Sequence, residues 1–343
     1  FRGSTAQTFL KQAKKRLNLR VETNATVSKL IFEDKKCVGV KFFKHGKEKF
    51  IRAAKEVILS GGAVNSPHIL QVSGIGPSDH LMNIGINVVH HLPGVGANLQ
   101  DHYVARVSHR VRHAKSINSL SRGTNLLKEI ATWAFSGKGA LTFGVTSAMV
   151  FSRSREGLSS PDLQLLFTPA SYSERTLGKL EQDDGMTVAV CPVRPASRGT
   201  IMAVSSDPFV RPEIRPNYLS DPDDIRVLLA GIHQTREIFS QPALQRYSSK
   251  ETAPGIQIQT SEELESFARE NGSIIYHPVS TCRMGDDAMA VVDSRLRVHG
   301  IKGLRVVDAS IMPTVTTGNT NAPTIMIAEK ASDMILKDAR QAS

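Results

Sequence analysis

The sequence predicts a chain of two fold types, an α/β part of Rossmann-like character and a sheet-containing α+β part. Three observations carry that prediction. The stretch KEVILSGGAVNSPHILQVSGIG, residues 55–76, sets an apolar run, a Gly-Gly turn and a helix start in succession. Residues 106–270 alternate polar and apolar positions between Gly/Pro turns, with two helical stretches among them. Residues 271–343 return to short apolar runs followed by a long helical period. The texture of 106–270 therefore sets it apart as a domain distinct from 1–105, and the motif-rich 271–343 follows it.

Taken in order, residues 7–19 have the apolar spacing of a helix that ends at Asn18. LRVETNATVSKLIFEDKKCVGVKFFKHGKEKFIRA then alternates, with turn chemistry at EDKK and KHGK, and predicts three short antiparallel strands. Val57–Leu59 reads as a buried strand. The Ser-Gly-Gly turn after it leads to Asn65 or Ser66 as a helix cap, with Pro67 in the first helical position. Such a helix start offers backbone N–H groups to an anion. LMNIGINVVHHLPGVGANLQDHY is a Gly/Pro-rich loop region. In the middle part, strands are expected in YVARVSHRVRH, DLQLLFTPA and MTVAVCPVRPASRGTIMAVSS. Helices are expected at 223–239 and 261–270, the second opened by a Ser-Glu-Glu capping start. VVDSRLRVHGIKGLRVVDASIMP predicts two short strands paired across a glycine turn, ending at Asp308. The last helix has Pro323 in its first turn and Ile325, Ala328, Met334 and Ile335 as an apolar stripe.

The 343 residues are 40% hydrophobic and 22% charged, an ordinary balance for a globular chain. No apolar run approaches the ~18–20 residues of a membrane span. The net charge of +11 is concentrated in residues 1–60, which hold fifteen Lys/Arg and five Asp/Glu. These lie in separate short clusters such as KKRLNLR and KHGKEK, a solvated face rather than a nucleic-acid surface. Cys37, Cys191 and Cys282 are far apart and lack CxxC spacing, so neither a disulfide framework nor a structural zinc site is expected. Asn24 and Asn271 begin N-x-S/T triplets, which permit a secreted location.

The stretch SIIYHPVSTCRMG, residues 273–285, poses the functional question. His277 stands before a proline and five residues ahead of Cys282. On residue types alone it is a catalytic base or a packed core histidine. A Cys–His nucleophile pair lacks a third orienting group. A metal site built with His299 or His90 and His91 lacks a carboxylate or cysteine cluster at ligand spacing.

Three motifs in one order add a resemblance. GGAVNSPHILQVSGIGP (61–77), YHPVSTCRMG (276–285) and LRVVDASIMPTVTTGNTNAPTIMIAEKASDMI (304–335) resemble the signatures of the glucose–methanol–choline (GMC) family of flavin oxidoreductases. Within that family the wording of the last two looks nearest to insect FAD- and quinone-dependent glucose dehydrogenases. The family begins with a strand–GxGxxG–helix unit that binds the ADP part of FAD, and this sequence contains no GxGxxG. FRGSTAQTFL reads as mid-chain sequence, so the chain is expected to be the later part of a longer protein, with an incomplete FAD-binding domain.

The resemblance implies an FAD-dependent oxidation of a CH–OH group of a sugar or other alcohol. Hydride would pass to flavin N5, His277 would take the hydroxyl proton, and electrons would leave to a quinone-like acceptor. An imidazole suits that base because its pKa lies near working pH. Asn319 matches the family's second polar residue beside the substrate oxygen, and an amide orients an alcohol without taking its proton. By position, Val27 matches the strand that meets the adenine, and Asp308 and Ala309 the Asp-Ala near the pyrophosphate and ribityl chain. Asn98 matches a loop near the flavin. Asn321 and Thr324 match the helix start under the ring, where the helix dipole favours negative charge. A truncated, non-catalytic fragment and a lyase on the same fold are the alternatives.

Overall fold

The computed structural model describes residues 3–173 and 178–341. Its first helical segment, a π turn at Ala6–Leu10 running into Lys11–Ala13, is shorter than the expected 7–19. Phe9 and Leu10 are exposed, so no packed face supports a longer helix. The three expected strands follow as a meander: β1 (Ala25–Glu33), β2 (Lys36–Lys44) and β3 (Lys47–Arg52). Asp34, His45 and Gly46 hold left-handed conformations in the two turns.

The next strand, β4 (Val57–Leu59), leads directly into helix α1 (Gly62–Val72). The helix starts five residues earlier than Pro67 suggested, and Pro67 lies inside it. Gly62 supplies the reason. It takes φ +78 with open space where a side chain would stand, so the chain turns into helix at once.

The middle of the chain builds a large antiparallel sheet from β5 (Tyr103–Val111), β6 (Ala148–Ser152), β7 (Leu163–Thr168), β8 (Gly185–Pro192) and β9 (Ser248–Ala253). Its order is β9-β5-β8-β7-β6, and β10 (Ser273–Ile274) also pairs with β5. A helix at Gly123–Ser136, which the sequence reading missed, has no buried residue. Helix α2 (Pro222–Ser240) and helix α3 (Ser261–Asn271) lie close to the expected bounds. Thr260 and Glu263 form a capping box at the start of α3. Helix α2 meets the sheet at Gly231, where a Cβ would stand 2.4 Å from Val190.

The expected hairpin within 291–313 forms as a short antiparallel contact: the Val298 N–H bonds the Leu304 carbonyl at 3.0 Å, the Val306 N–H bonds the Leu296 carbonyl at 3.1 Å, and a bridge joins Arg297 to Arg305. Strand β11 (Leu304–Val306) also runs parallel to β4, with Leu304 opposite Val57 and Val306 opposite Leu59. All three β11 residues are buried, which suits a strand with a neighbour on either side. The last helix, α4 (Asn321–Gln341), buries Ile327 and Ala331, whereas Ala328 of the expected stripe is exposed.

Two apolar clusters dominate the interior. One draws on residues 30–95 and 279–331, with Leu70, Ile75, Val292, Leu304 and Ile327 among its members. The other lies between 105 and 268 and fills the space between the sheet and helices α2 and α3, through Val107, Val190, Ile232 and Leu264. Among the described residues no helix is long and apolar enough to cross a membrane.

Candidate active site

Two loops cross to make the site. Gln100 and Val279 exchange backbone hydrogen bonds, N–H to O, at 3.3 and 2.9 Å, and the Ile275 N–H reaches the His102 carbonyl at 3.3 Å. The Gln100 side chain extends the join: its Oε1 accepts the Val315 N–H at 3.2 Å and its Nε2 reaches Ser280 Oγ at 3.3 Å. Tyr276 and Ser280, on either side of His277, hold left-handed conformations with φ 61 and 75. Such a conformation costs about 1–2 kcal/mol for a residue with a side chain. It persists where surrounding contacts over-determine it.

Asp101 supplies those contacts. Its Oδ1 accepts both the His277 N–H at 2.7 Å and the His102 N–H at 2.8 Å, and its Oδ2 accepts the Tyr218 hydroxyl at 3.0 Å. Burial pushes the Asp101 carboxyl up, and these donors pull against it. Burial likewise pushes the Tyr218 hydroxyl up, so it stays a donor.

The two imidazoles stand edge to face, 5.1 Å between centroids, with His102 Nδ1 2.9 Å from His277 Nδ1. His102 is fully buried and its pKa is lowered to about 4, first by burial and then by the His277 charge, so it is neutral at pH 7. Its Nε2 lies 3.3 Å from the Val193 carbonyl, which can only accept. The single His102 hydrogen therefore sits on Nε2, and its Nδ1 is an acceptor. That makes His277 Nδ1 the donor and leaves the His277 Nε2 lone pair free. Asn319 Nδ2, an amide donor, points at that lone pair from 3.3 Å. Burial lowers the His277 pKa, with the Asp101 charge raising it in opposition. His277 is 7% exposed, and Asn319 is exposed.

The remaining expected residues divide into two groups. Asp308 is buried, and its Oδ2 accepts Gly62 N–H at 2.9 Å and Ser66 Oγ–H at 2.6 Å, while Oδ1 accepts Ser310 N–H at 2.8 Å. The anion expected at the start of α1 is thus the chain's own carboxylate. It takes a helix-start N–H that no side-chain cap serves. The Ala309 carbonyl accepts the Ser280 N–H at 3.4 Å, which ties the Asp-Ala turn to the His277 loop. Asn98, with φ 60, donates to the Pro313 carbonyl at 3.4 Å and joins the same crossing. Thr324 Oγ1 bonds back to Thr320 O at 2.7 Å, and Asn321 is exposed at the first turn of α4. Val27 stands elsewhere, half-buried at an irregularity in β1. Cys282 is fully buried and burial pushes its thiol well up, the opposite of an activated nucleophile. Among the described residues no group of three or more His, Cys, Asp or Glu could hold a metal ion.

Asp101 and His102 escaped the sequence reading. The signal was present in QDH, next to Asn98: a carboxylate and an imidazole side by side in a glycine-rich loop.

Comparisons with known proteins bear on the family of the chain. Two family profiles described as GMC oxidoreductase match residues 1–104 and 195–328. The chain belongs to the GMC oxidoreductase family. Curated GMC relatives include oxygen-dependent choline dehydrogenases of Pectobacterium carotovorum, 43% identical over 334 residues, and of Proteus mirabilis, 44% identical over 336. Each alignment covers 97% of this chain and 60% of the relative, so the chain spans about 60% of the length of the relatives it matches. These relatives replace the insect glucose dehydrogenase likeness suggested by the motif wording, since short motifs record the shared fold more than the substrate.

Among solved structures, formate oxidase of Aspergillus oryzae RIB40 superposes with a TM-score of 0.86 at 26% identity, covering 93% of this chain and 61% of that one. Pyridoxine 4-oxidase of Mesorbium loti gives 0.83 at 26%, covering 97% and 62%. An FAD-dependent oxidoreductase of Chaetomium thermophilum gives 0.84 at 26%, covering 96% and 64%. The mixed α/β architecture is thus that of the GMC structures, whose cofactor is FAD. Observations of this chain fit that cofactor. Buried Ser28 Oγ in β1 and His68 Nε2 in α1 have no partner, and the first turn of α4 stands uncovered within reach of the His277–Asn319 pair.

Proposed function

We propose that the whole protein oxidises an alcohol with FAD, and that His277 is the base that takes the hydroxyl proton. The observation that carries this reading is the placement of His277, its Nε2 3.3 Å from Asn319 Nδ2 and its Nδ1 2.9 Å from His102 Nδ1. When bound, the flavin supplies the two-electron acceptor for the hydride of the carbinol carbon. Everything else falls to the chain. The substrate hydroxyl replaces the Asn319 amide at Nε2, and the exposed Asn319 turns its amide N–H onto the oxygen. His102 and Asp101 hold the ring and its backbone while the proton is on His277, so little rearrangement accompanies the transfer. Asn321, Thr324, Asn98 and Ala309 are the residues for the flavin ring and its ribityl side. Val27 is for the adenine, and Asp308, which holds the start of α1 through Gly62 and Ser66, stands with Ala309 on the pyrophosphate side. In this reading residues 1–105 and 271–343 belong to the cofactor domain and 106–270 to the substrate domain.

The relatives' names make choline the first alcohol to assay and oxygen the first acceptor, with a quinone second. The test is anaerobic mixing of the flavin-loaded full-length enzyme with a series of alcohols. Bleaching of the visible flavin absorbance is expected with at least one primary alcohol. Flavin that binds but is bleached by none of them contradicts the proposal. Transfer of the electrons to oxygen or to an added quinone then identifies the acceptor.

A further inference from the structure

The large sheet has two unlike faces. Ala105, Val107, Leu163, Leu165, Val188 and Val190 pack into the apolar cluster beneath α2 and α3. Their strand neighbours Arg106, Ser108, Thr168, Thr187 and Ala189 point the other way, as the period of two requires, and line a cavity of about 610 Å³. Tyr172, Ser273 and Ile275 complete the part that concerns substrate. Ser273 and Ile275 belong to the segment that ends at His277, so the cavity runs up to the loop carrying the base.

Arg106 is the cation of this cavity. Its guanidinium carries five N–H donors, of which Nη1 meets Ser273 Oγ at 2.5 Å. Among the described residues it forms no ion pair, and its side-chain hydrogen-bond partner is the Ser273 hydroxyl. Burial pulls its pKa below the ordinary value, the mark of a cation short of compensation. The carboxylate among the cavity's lining residues, Glu270, is exposed and accepts from Ser266 Oγ at 3.1 Å. Among the described residues, a quaternary ammonium group entering here meets a guanidinium and no buried carboxylate. An anion meets the opposite arrangement: a desolvated fork of donors ringed by hydroxyls.

We propose that this cavity binds the non-reacting end of the substrate as a carboxylate, with Arg106 as its counter-charge, so that the alcohol oxidised is a hydroxyalkanoate rather than choline. The inference rests on the alcohol-oxidising reading of His277. From His102, which backs the base, to Arg106 is four steps of extended chain, roughly 13 Å. That separation suits a hydroxyl and a carboxylate divided by several carbons, as in 6-hydroxyhexanoate.

The test compares 6-hydroxyhexanoate, 1-hexanol and choline as substrates of the flavin-loaded full-length enzyme, together with equilibrium binding of hexanoate followed by calorimetry. A buried charge-assisted pair gives roughly a 10–10²-fold higher kcat/KM for 6-hydroxyhexanoate than for 1-hexanol. Arg106→Met should collapse that ratio toward one and weaken hexanoate binding by a similar factor. Arg106→Lys, which keeps the charge without the fork, should retain part of both. Choline preferred over 6-hydroxyhexanoate by the wild type, or hexanoate binding equal in wild type and Arg106→Met, overturns the proposal. Hexanoate binding that depends on Arg106 while no alcohol is turned over would sustain the anion site and refute the role given to His277.

Discussion

Around His277 the structure is held by hydrogen bonds between segments far apart in the chain, whereas the large sheet is held by alternation between neighbours. Asp101 gathers the backbones of His102 and His277 and the hydroxyl of Tyr218. Asp308 gathers Gly62, Ser66 and Ser310. Each buried carboxylate is satisfied by three donors, so removing one partner strands the others. The sheet instead relies on Val107, Val188, Val190 and Leu165 against α2 and α3, where a lost methyl is felt locally. The first kind of structure fixes an imidazole to one tautomer. The second leaves a cavity whose lining can vary without disturbing the fold. In the proposed reading the reaction belongs to the crossing loops, and the choice of substrate to the polar face of the sheet.

The sharpest way to break this comparison is at the base. His277→Ala in the full-length enzyme should lower kcat by roughly 10²–10⁴-fold, as for loss of a general base, with flavin content unchanged. A loss of less than tenfold, measured in steady-state assays, contradicts the role. His102→Phe keeps an aromatic ring but removes the acceptor behind His277 Nδ1. A fall in kcat of roughly 10²-fold with little change in KM is expected, by analogy with other histidines set free to take the wrong tautomer. A change confined to KM argues for packing alone.

The same histidine links stability to pH. Its folded pKa of about 4 lies below the ordinary value, so the unfolded chain binds the extra proton first as pH falls. Stability from keeping His102 neutral is complete above about pH 6.5 and lost down to pH 4, to the extent of about 3 kcal/mol. Denaturant titrations of wild type and His102→Phe across that range should show the slope flattened in the variant. Asp308→Asn replaces one acceptor oxygen with an amide NH2 facing fixed donors and should cost about 1–3 kcal/mol, read by the same titrations. The mildest effect belongs to Cys282→Ala, which should cost about 1 kcal/mol of packing and leave kcat within about twofold. A larger loss of activity would return the thiol to the chemistry.

The sequence carried the local elements well. The Ser-Glu-Glu start announced α3, and alternation announced β5, β7 and β8 but not β6 or β9. Long-range pairing was not legible: Leu304–Val306 forms the expected arm against 296–298, and its parallel pairing with Val57–Leu59 was not foreseen. Local pattern does not reveal which strand lies beside a strand buried on both faces. The site was half legible. His277 and Asn319 could be named from their motifs, and they meet. His102 could not, because its role depends on a carbonyl ninety-one residues away, that of Val193. Arg106 looked like one more charge in an alternating strand, and only the closure of the sheet over a cavity gives it meaning.

Nitrogen-15 spectra of the histidine rings at neutral pH, assigned through the His277→Ala and His102→Phe variants, test the tautomer assignment most directly. His277 should carry its hydrogen on Nδ1, with Nε2 bare, and His102 the reverse. A hydrogen found on His277 Nε2 would remove the base and the proposed function with it.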